Sequence, residues 1–183
     1  EAIEAIRGNP GKFNYASVGS GSPHHLFMEA LKAELGLSIQ HVPYKGTQAA
    51  IPDLLTGGVQ MMFADATVAV PNIQAGKVTP LGTSSAKPTT LVPGVPPIAA
   101  TVKGFDWEAW QGIVAPAATP PAIVAKLAAE LQRIQSTPEF REQLRKFGME
   151  SAPPHTPAEF AAIVAAEQPR WQKAVKDSGA KVD

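Results

Sequence analysis

Residues 15–26 read Tyr15-Ala16-Ser17-Val18-Gly19-Ser20-Gly21-Ser22-Pro23-His24-His25-Leu26, and this stretch decides the fold class. A short strand runs through a turn rich in glycine and serine directly into a helix. Gly19 and Gly21 allow a tight turn and a close approach to a ligand, while Ser22 suits a helix cap and Pro23 the first helical position. Free amides and the positive end of the helix dipole would then face outward, which predicts a binding site for a carboxylate or phosphate.

Three better-known glycine motifs do not fit this turn, which we call the corner loop (residues 17–22). A Walker loop needs a lysine after its last glycine, and Lys45-Gly46-Thr47 lies far downstream in the wrong order. A dinucleotide fingerprint would place its third glycine where His24 stands. A nucleophile elbow around Ser17 would need a glycine at position 15, which is Tyr15.

The composition limits the class of protein. Sixteen Lys and Arg balance sixteen Asp and Glu, so the chain lacks the basic surface that nucleic-acid binding requires, and we expect no nucleic-acid partner. The absence of cysteine excludes disulfides, thiolate metal sites and a cysteine nucleophile. A hydrophobic fraction of 44% in 183 residues is typical of a globular protein, and no apolar run reaches membrane-spanning length.

Strands and helices alternate through the first part of the chain. Strands are predicted at 12–17, 38–42 and 59–64, helices at 23–35, 47–56 and 66–73, with Thr47 capping the second helix. Such alternation indicates an α/β fold with a parallel sheet, whose carboxyl edge carries the ligand. The loops at 17–22, 43–46 and 65–67 should meet there. The candidate ligand-binding residues are Ser17, Gly19, Ser20, Gly21, Ser22, His25, Tyr44, Lys45, Gly46, Asp65 and Thr67.

The second part has a different character. A further strand is predicted at 78–85, a proline-rich loop at 86–97 and an apolar strand from Trp107 to Val114. Helices follow at 121–135 and 138–147, and Thr156 with Glu159 forms a capping box for the last helix. Pro169 interrupts that helix and should bend it. We place a domain boundary between residues 105 and 106.

Several segments together resemble one known family, in order and over essentially the whole chain. They resemble the Bug family, the extracytoplasmic solute receptors of tripartite tricarboxylate transporters. The segments are residues 15–26, His41–Gly46, Asp53-Leu54-Leu55, Gly57-Gly58-Val59, Met62-Phe63, Pro71–Lys77, Gly112–Pro116 and Thr119-Pro120.

The resemblance implies a type II periplasmic-binding-protein-like fold that closes on a small carboxylate between two lobes. Residues 1–105 would form the second ligand-binding lobe, and residues 106–183 a crossover strand and helices that normally pack on an amino-terminal lobe absent from this chain. The opening Glu1–Arg7 looks like the tail of a helix already under way, without a signal peptide, so we expect a fragment. The implied protein is periplasmic, is no enzyme, needs no cofactor, and delivers its solute to the transporter's membrane subunits. The fragment itself should self-associate or pair with its missing lobe.

Family members hold the ligand carboxylate with backbone amides, small hydroxyls and ordered waters at loops matching 17–22 and 43–46. Each candidate also has a purely structural interpretation. Ser22 could simply cap its helix, Lys45 could be a solvated charge at the rim, and Tyr44 could only pack. Asp65 would pair with an amine or hydroxyl of the solute if it faces the cleft, or else cap a helix.

Other function classes stay open. His25 and Glu29 share a helix face but show no third metal ligand, so no metal site is predicted. A serine hydrolase would use Ser17 or Ser20 with His24 or His25, although histidines at a helix start are poorly placed to activate a serine in the preceding turn. An interaction module without a ligand is the remaining alternative.

Overall fold

A three-stranded parallel sheet forms the centre of the first compact unit. The computed structural model describes residues 1–180. Helix α1 (Ala2–Arg7) precedes β1 (Phe13–Ser17), α2 (Pro23–Leu35), β2 (Ile39–Pro43), α3 (Thr47–Thr56), β3 (Met61–Met62) and α4 (Ala66–Gln74). The strand order is β2-β1-β3, and all pairs are parallel. The α/β alternation and the parallel sheet are therefore as predicted.

Helices cover both faces of the sheet, because side chains of a strand alternate between its faces. Tyr15, Met28 and Ile39 form a buried cluster on the face that α2 covers. On the other face Ala16 packs with Ala50 of α3 and with Val59. Because helices cover both faces of the sheet, the three loops that follow the strands meet at the carboxyl ends of those strands.

Local chemistry sets the ends of α2. The Ser22 side chain accepts a hydrogen bond from the His25 amide, Pro23 takes the first helical position, and Gly36 ends the helix in the left-handed conformation at φ 62°. These bounds equal the predicted ones. For α3 the cap prediction was wrong: Gly46, at φ 103°, is the N-cap residue, and Thr47 is already helical.

Two predicted strands are absent. Residues 78–85 form a loop in which Thr83 makes one isolated bridge to Pro97, and residues 107–114 have no regular structure. A strand needs a neighbour that takes up its N–H and C=O groups, and the three-stranded sheet includes neither segment. Strand β3 is also shorter than predicted, because only Met61 and Met62 pair with β1.

The chain divides into two compact units. The first comprises Glu1–Glu108 with the chain from Lys173 onward, and the second comprises Ala109–Gln172. A single 3-10 turn, Ile98–Ala100, lies in the first unit. Trp107 belongs to that unit, where its ring lies 6.0 Å from Phe27. The division at 105/106 into a ligand-binding lobe and a crossover segment stays a prediction.

The second unit is helical. Helix α5 spans Pro121–Gln135 and α6 spans Pro138–Lys146, while α7, Pro157–Ser178, begins here and continues into residues grouped with the first unit. The capping box is present: Thr156 Oγ1 accepts from the Glu159 amide at 3.2 Å, and Glu159 Oε2 accepts from the Thr156 amide at 2.7 Å. Pro169 lies inside α7 without ending it. Among the described residues, none of the helices is long and apolar enough to cross a membrane.

Candidate functional site

The corner loop is folded by hydrogen bonds among its own residues. The Gly19 carbonyl accepts from the Ser22 hydroxyl at 2.7 Å and from the Ser22 amide at 3.3 Å. The Gly19 amide donates to Ser17 Oγ at 3.1 Å, and the Gly21 amide donates to His25 Nδ1 at 3.1 Å. Gly19 and Gly21 have φ values of 128° and 77°, a region that side chains with a Cβ rarely adopt. The loop therefore keeps a defined shape that requires glycine at both positions.

These bonds occupy most of the backbone amides that we predicted from the sequence to bind a ligand. The amides of Gly19, Gly21, Ser22 and His25 all donate to protein groups. Within the described part of the chain, the amides of Ser20 and His24 have no protein acceptor. Ser20 is exposed. The donors left for an anion thus include the Val18, Ser20 and His24 amides and the Ser20 hydroxyl, and the buried His24 Nδ1 also has no partner among the described residues.

Ser17 has a different environment from the one that a nucleophile needs. It is fully buried, and its hydroxyl lies 2.6 Å from His41 Nε2, a partner that the sequence interpretation missed. His41 lies beside Tyr15 in the β1–β2 register, so Ser17 is two residues further along the same face. The alternation of the two strands could have found this pair, but only once their register was known.

Asp65 joins the beginnings of three helices. It is the N-cap residue of α4, but its side chain makes no capping bond. One carboxylate oxygen lies 3.3 Å from His24 Nε2 at the start of α2, and the other accepts from the Thr47 hydroxyl of α3 at 3.0 Å. The hydrogen bond from His24 lowers the pKa of Asp65. The loops after the three strands are therefore tied together through one ionised carboxylate.

The remaining candidates lie along the same edge with fewer contacts. The Tyr44 hydroxyl donates to Asp53 at 2.6 Å, which raises the pKa of Tyr44, and the Tyr44 ring packs on the α3 side of the sheet. Lys45 and Thr67 are exposed. Gly46 has open space where a Cβ would lie.

A polar cluster lies directly beneath the corner loop. Glu29 accepts from the Tyr15 hydroxyl at 2.5 Å and from Lys32 at 2.6 Å, and it lies 4.0 Å from His25 Nε2. Burial and the bond to Glu29 raise the pKa of Tyr15 well above its usual value. Among the described residues, no group of three or more His, Asp or Glu side chains could hold a metal ion.

Comparison with known proteins agrees with this architecture. The profile described as "Tripartite tricarboxylate transporter family receptor" matches residues 1–180. A Pseudomonas sp. (strain P51) protein from the tcbD-tcbE intergenic region is 36% identical over 96% of this chain and 52% of the relative. The Bordetella pertussis protein BugT is 28% identical over 98% of this chain and 55% of the relative. The chain thus spans about half the length of these relatives.

Solved structures give the same result. The R. palustris protein Rpa4515 with adipate superposes with a TM-score of 0.83 at 30% identity, over 98% of this chain and 60% of that one. The periplasmic binding protein BugD gives 0.80 at 31%, over 98% and 61%. MatC from Rhodopseudomonas palustris with bound malate gives 0.76 at 30%, over 95% and 60%. The fold is that of part of a periplasmic binding protein, and the chain belongs to the tripartite tricarboxylate transporter receptor family, as its resemblance to the Bug receptors predicted.

Proposed function

We propose that this chain supplies the carboxylate-binding half of a periplasmic receptor that captures a small organic acid and delivers it to the membrane subunits of a tripartite transporter. The observation that carries the proposal is the pair of unused amides of Ser20, in the corner loop, and His24, in the first turn of α2. Backbone amides at a helix start favour an anion without burying a paired charge. Adipate and malate, the acids bound to two structural neighbours, both carry the carboxylate that such amides bind, and malate also carries a hydroxyl group.

The contacts divide the candidate residues into two roles in this proposal. Ser20 and His24 present donors to the solute, and Lys45 adds a positive charge from the neighbouring loop. Ser17, Gly19, Gly21, Ser22 and His25 shape the corner loop, and Tyr44 packs beneath the rim. Because each donor is individually weak, binding stays reversible, as a receptor requires.

In this proposal, Asp65 makes the site selective for the second functional group of the solute. Its carboxylate is ionised and half-exposed, with His24 and Thr47 on its two oxygens. A negative charge beside the amides repels a second acid group of the solute but accepts a hydrogen bond from a hydroxyl or amine. We propose Asp65 and Thr67 as the side of the site that faces such a group.

Two alternatives fit the same residues less well. A serine hydrolase would use the 2.6 Å pair of Ser17 and His41, but Ser17 is fully buried. The Gly19 amide, which could stabilise an oxyanion, donates to Ser17 itself. An interaction module without a ligand would leave the Ser20 and His24 amides to water.

A titration followed by amide NMR tests the proposal. Adipate, malate and sulfate are added in turn to the labelled chain at constant ionic strength. We expect saturable shifts of the Ser20 and His24 amide signals. Helix α6 is an internal control, since Thr137 caps it and Pro138 takes its first position without a glycine corner. Shifts of equal size at Glu139 and Phe140, or none at the corner loop, would contradict the assignment.

A further inference from the structure

Two histidine rings lie stacked beneath the corner loop. The ring centroids of His25 on α2 and His41 on β2 are 4.0 Å apart, with 18° between the ring planes. The Tyr15 ring continues the stack, 4.9 Å from His41. Only 4% of His25 is exposed. Because so little of His25 is exposed, we expect it to act on binding through the loop and not by contact with the solute.

Each ring holds a different part of the corner loop. His25 Nδ1 accepts from the Gly21 amide at 3.1 Å, which assigns the ring proton of neutral His25 to Nε2. His41 Nε2 lies 2.6 Å from Ser17 Oγ, which in turn accepts from the Gly19 amide at 3.1 Å. The two glycines that turn the loop are therefore both fixed, one directly and one through Ser17, by the stacked pair.

We propose that His25 and His41 are positioning residues for anion binding: the neutral pair holds the corner loop so that the Ser20 and His24 amides face the ligand, and protonation of the pair releases the loop. The ligand side of this inference rests on the proposed function, since it concerns the same loop. The control of the loop by the pair can be measured without any ligand.

The protonation of His25 Nδ1 predicts whether anion binding strengthens or weakens as the pH falls. A proton on His25 Nδ1 turns it into a donor that faces the Gly21 N–H, so that the amide loses its partner and must turn away. A proton on His41 places a charge against the face of His25 in a buried site. The first event removes the acceptor that sets Gly21, and the second adds a buried like charge beside the first, so acidification should weaken anion binding.

The charged and titratable groups around the pair come from two elements. Glu29 and Lys32 of α2 lie close to both rings, and Tyr15 of β1 stacks on His41. Burial lowers the pKa of both histidines, of His41 to about 4, while Glu29 opposes this and Lys32 adds to it. The pair is thus neutral at pH 7.

The first experiment follows the Gly21 amide and the histidine ring signals of the ligand-free chain from about pH 7 downward, over the range in which the spectrum stays dispersed. We expect the Gly21 signal to move with the ring signals of His25. Sulfate, which stays a dianion over this range, then serves as the probe. Its affinity relative to a non-titrating variant should fall by up to about tenfold per pH unit below the pKa of the pair.

His25→Asn is the rescue variant, because its Oδ1 can accept the Gly21 N–H and cannot titrate. We expect it to bind sulfate more tightly than His25→Leu at pH 7 and to lose the part of the pH dependence that His25 carries, while His41 still titrates. His25→Leu keeps the packing but removes the acceptor, and should weaken sulfate binding about tenfold. His155→Asn, in the second unit, controls for loss of a histidine elsewhere.

Two outcomes would overturn the inference: a Gly21 signal that ignores titration of His25, or a folded His25→Leu variant with wild-type sulfate affinity. If sulfate shifts no corner-loop amide even at pH 7, the proposed function of the loop fails, and the ligand-free titration still decides whether the pair controls the loop.

Discussion

The Thr47 hydroxyl donates to the Asp65 carboxylate at 3.0 Å, and this bond joins the first turn of α3 to the residue that precedes α4. His24 contacts the other oxygen of the same carboxylate. Three loops that are far apart in sequence therefore have one shared anchor. The anchor explains why Thr47 is buried although it begins a helix at the edge of the sheet.

Thr47→Val should cost about 1 kcal/mol of the free energy of unfolding, because it keeps the shape of the side chain but removes one hydrogen bond from a carboxylate that stays in place. Urea unfolding followed by circular dichroism measures this. Thr67→Val is the matched control, since Thr67 is exposed on α4, and it should change the unfolding free energy by less than about 0.5 kcal/mol. Equal effects of both substitutions would mean that the Asp65 bond adds no stability.

The glycine conformation of the corner loop should be required for binding and not only for stability. Gly21→Val and Gly11→Val each place a β-branched residue at a similar positive φ, 77° and 74°, and each should destabilise the chain by about 1–2 kcal/mol. Gly11 lies at the opposite end of β1, away from the loop. Only Gly21→Val should lower sulfate affinity. If both variants lose sulfate affinity, the loss is explained by general destabilisation of the chain and not by the conformation of the corner loop.

The second unit contains one position where even a methyl group does not fit. A Cβ on Gly112 would lie 2.2 Å from Cζ of Phe160, whose ring meets Trp110 edge-on at 5.4 Å. Gly112→Ala should therefore destabilise the packing around Trp110 by about 1–3 kcal/mol.

The change is measured by denaturant unfolding with tryptophan fluorescence. Gly8→Ala is the control, because its nearest contact would be an ordinary 3.4 Å. Combining Gly112→Ala with Phe160→Leu should cost less than the sum of the two single changes, since the smaller side chain makes room. Strict additivity would show that the two residues do not compete for space.

Stability should also depend on pH through the stacked histidines. Their pKa values are lower in the folded state, for His41 about 4 against the ordinary 6.5, so the unfolded chain binds protons more readily between those values. The free energy of unfolding should accordingly fall as pH falls from about 6.5 towards 4. In His41→Gln, which can still reach Ser17 but cannot titrate, this decline should be smaller. An unchanged decline would assign the pH dependence to other groups.

The features that the sequence predicts best are those that depend on residues adjacent in the chain. The ends of α2 follow from Ser22, Pro23 and Gly36, all within the helix or next to it. The roles of His41 and Thr47 could not be predicted, because they depend on strand register and on where α4 begins. The strand predicted at 107–114 was wrong because apolar periodicity reports a tendency to be buried, whereas a strand also needs a partner.

The last prediction concerns the apolar surface of the second unit. None of the described residues from Ala109 to Gln172 is buried, and Ile123, Leu127 and Ile134 of α5 are 50%, 53% and 38% exposed. Their spacing places them on one helix face. A cavity of about 560 Å³ beside them is lined largely by apolar groups, including Val124, Ala128 and Pro157. Such a surface favours association with another protein surface.

We therefore expect the 183-residue chain to self-associate or to retain a separate chain as its partner. Light scattering over a range of concentrations, with intact-mass analysis, distinguishes these two outcomes. Leu127→Lys should shift the chain towards the monomer without loss of helical circular dichroism, whereas Lys126→Gln, one position away, should leave the association unchanged. A strictly monomeric wild-type chain of its own mass at every concentration would show that this apolar face needs no partner.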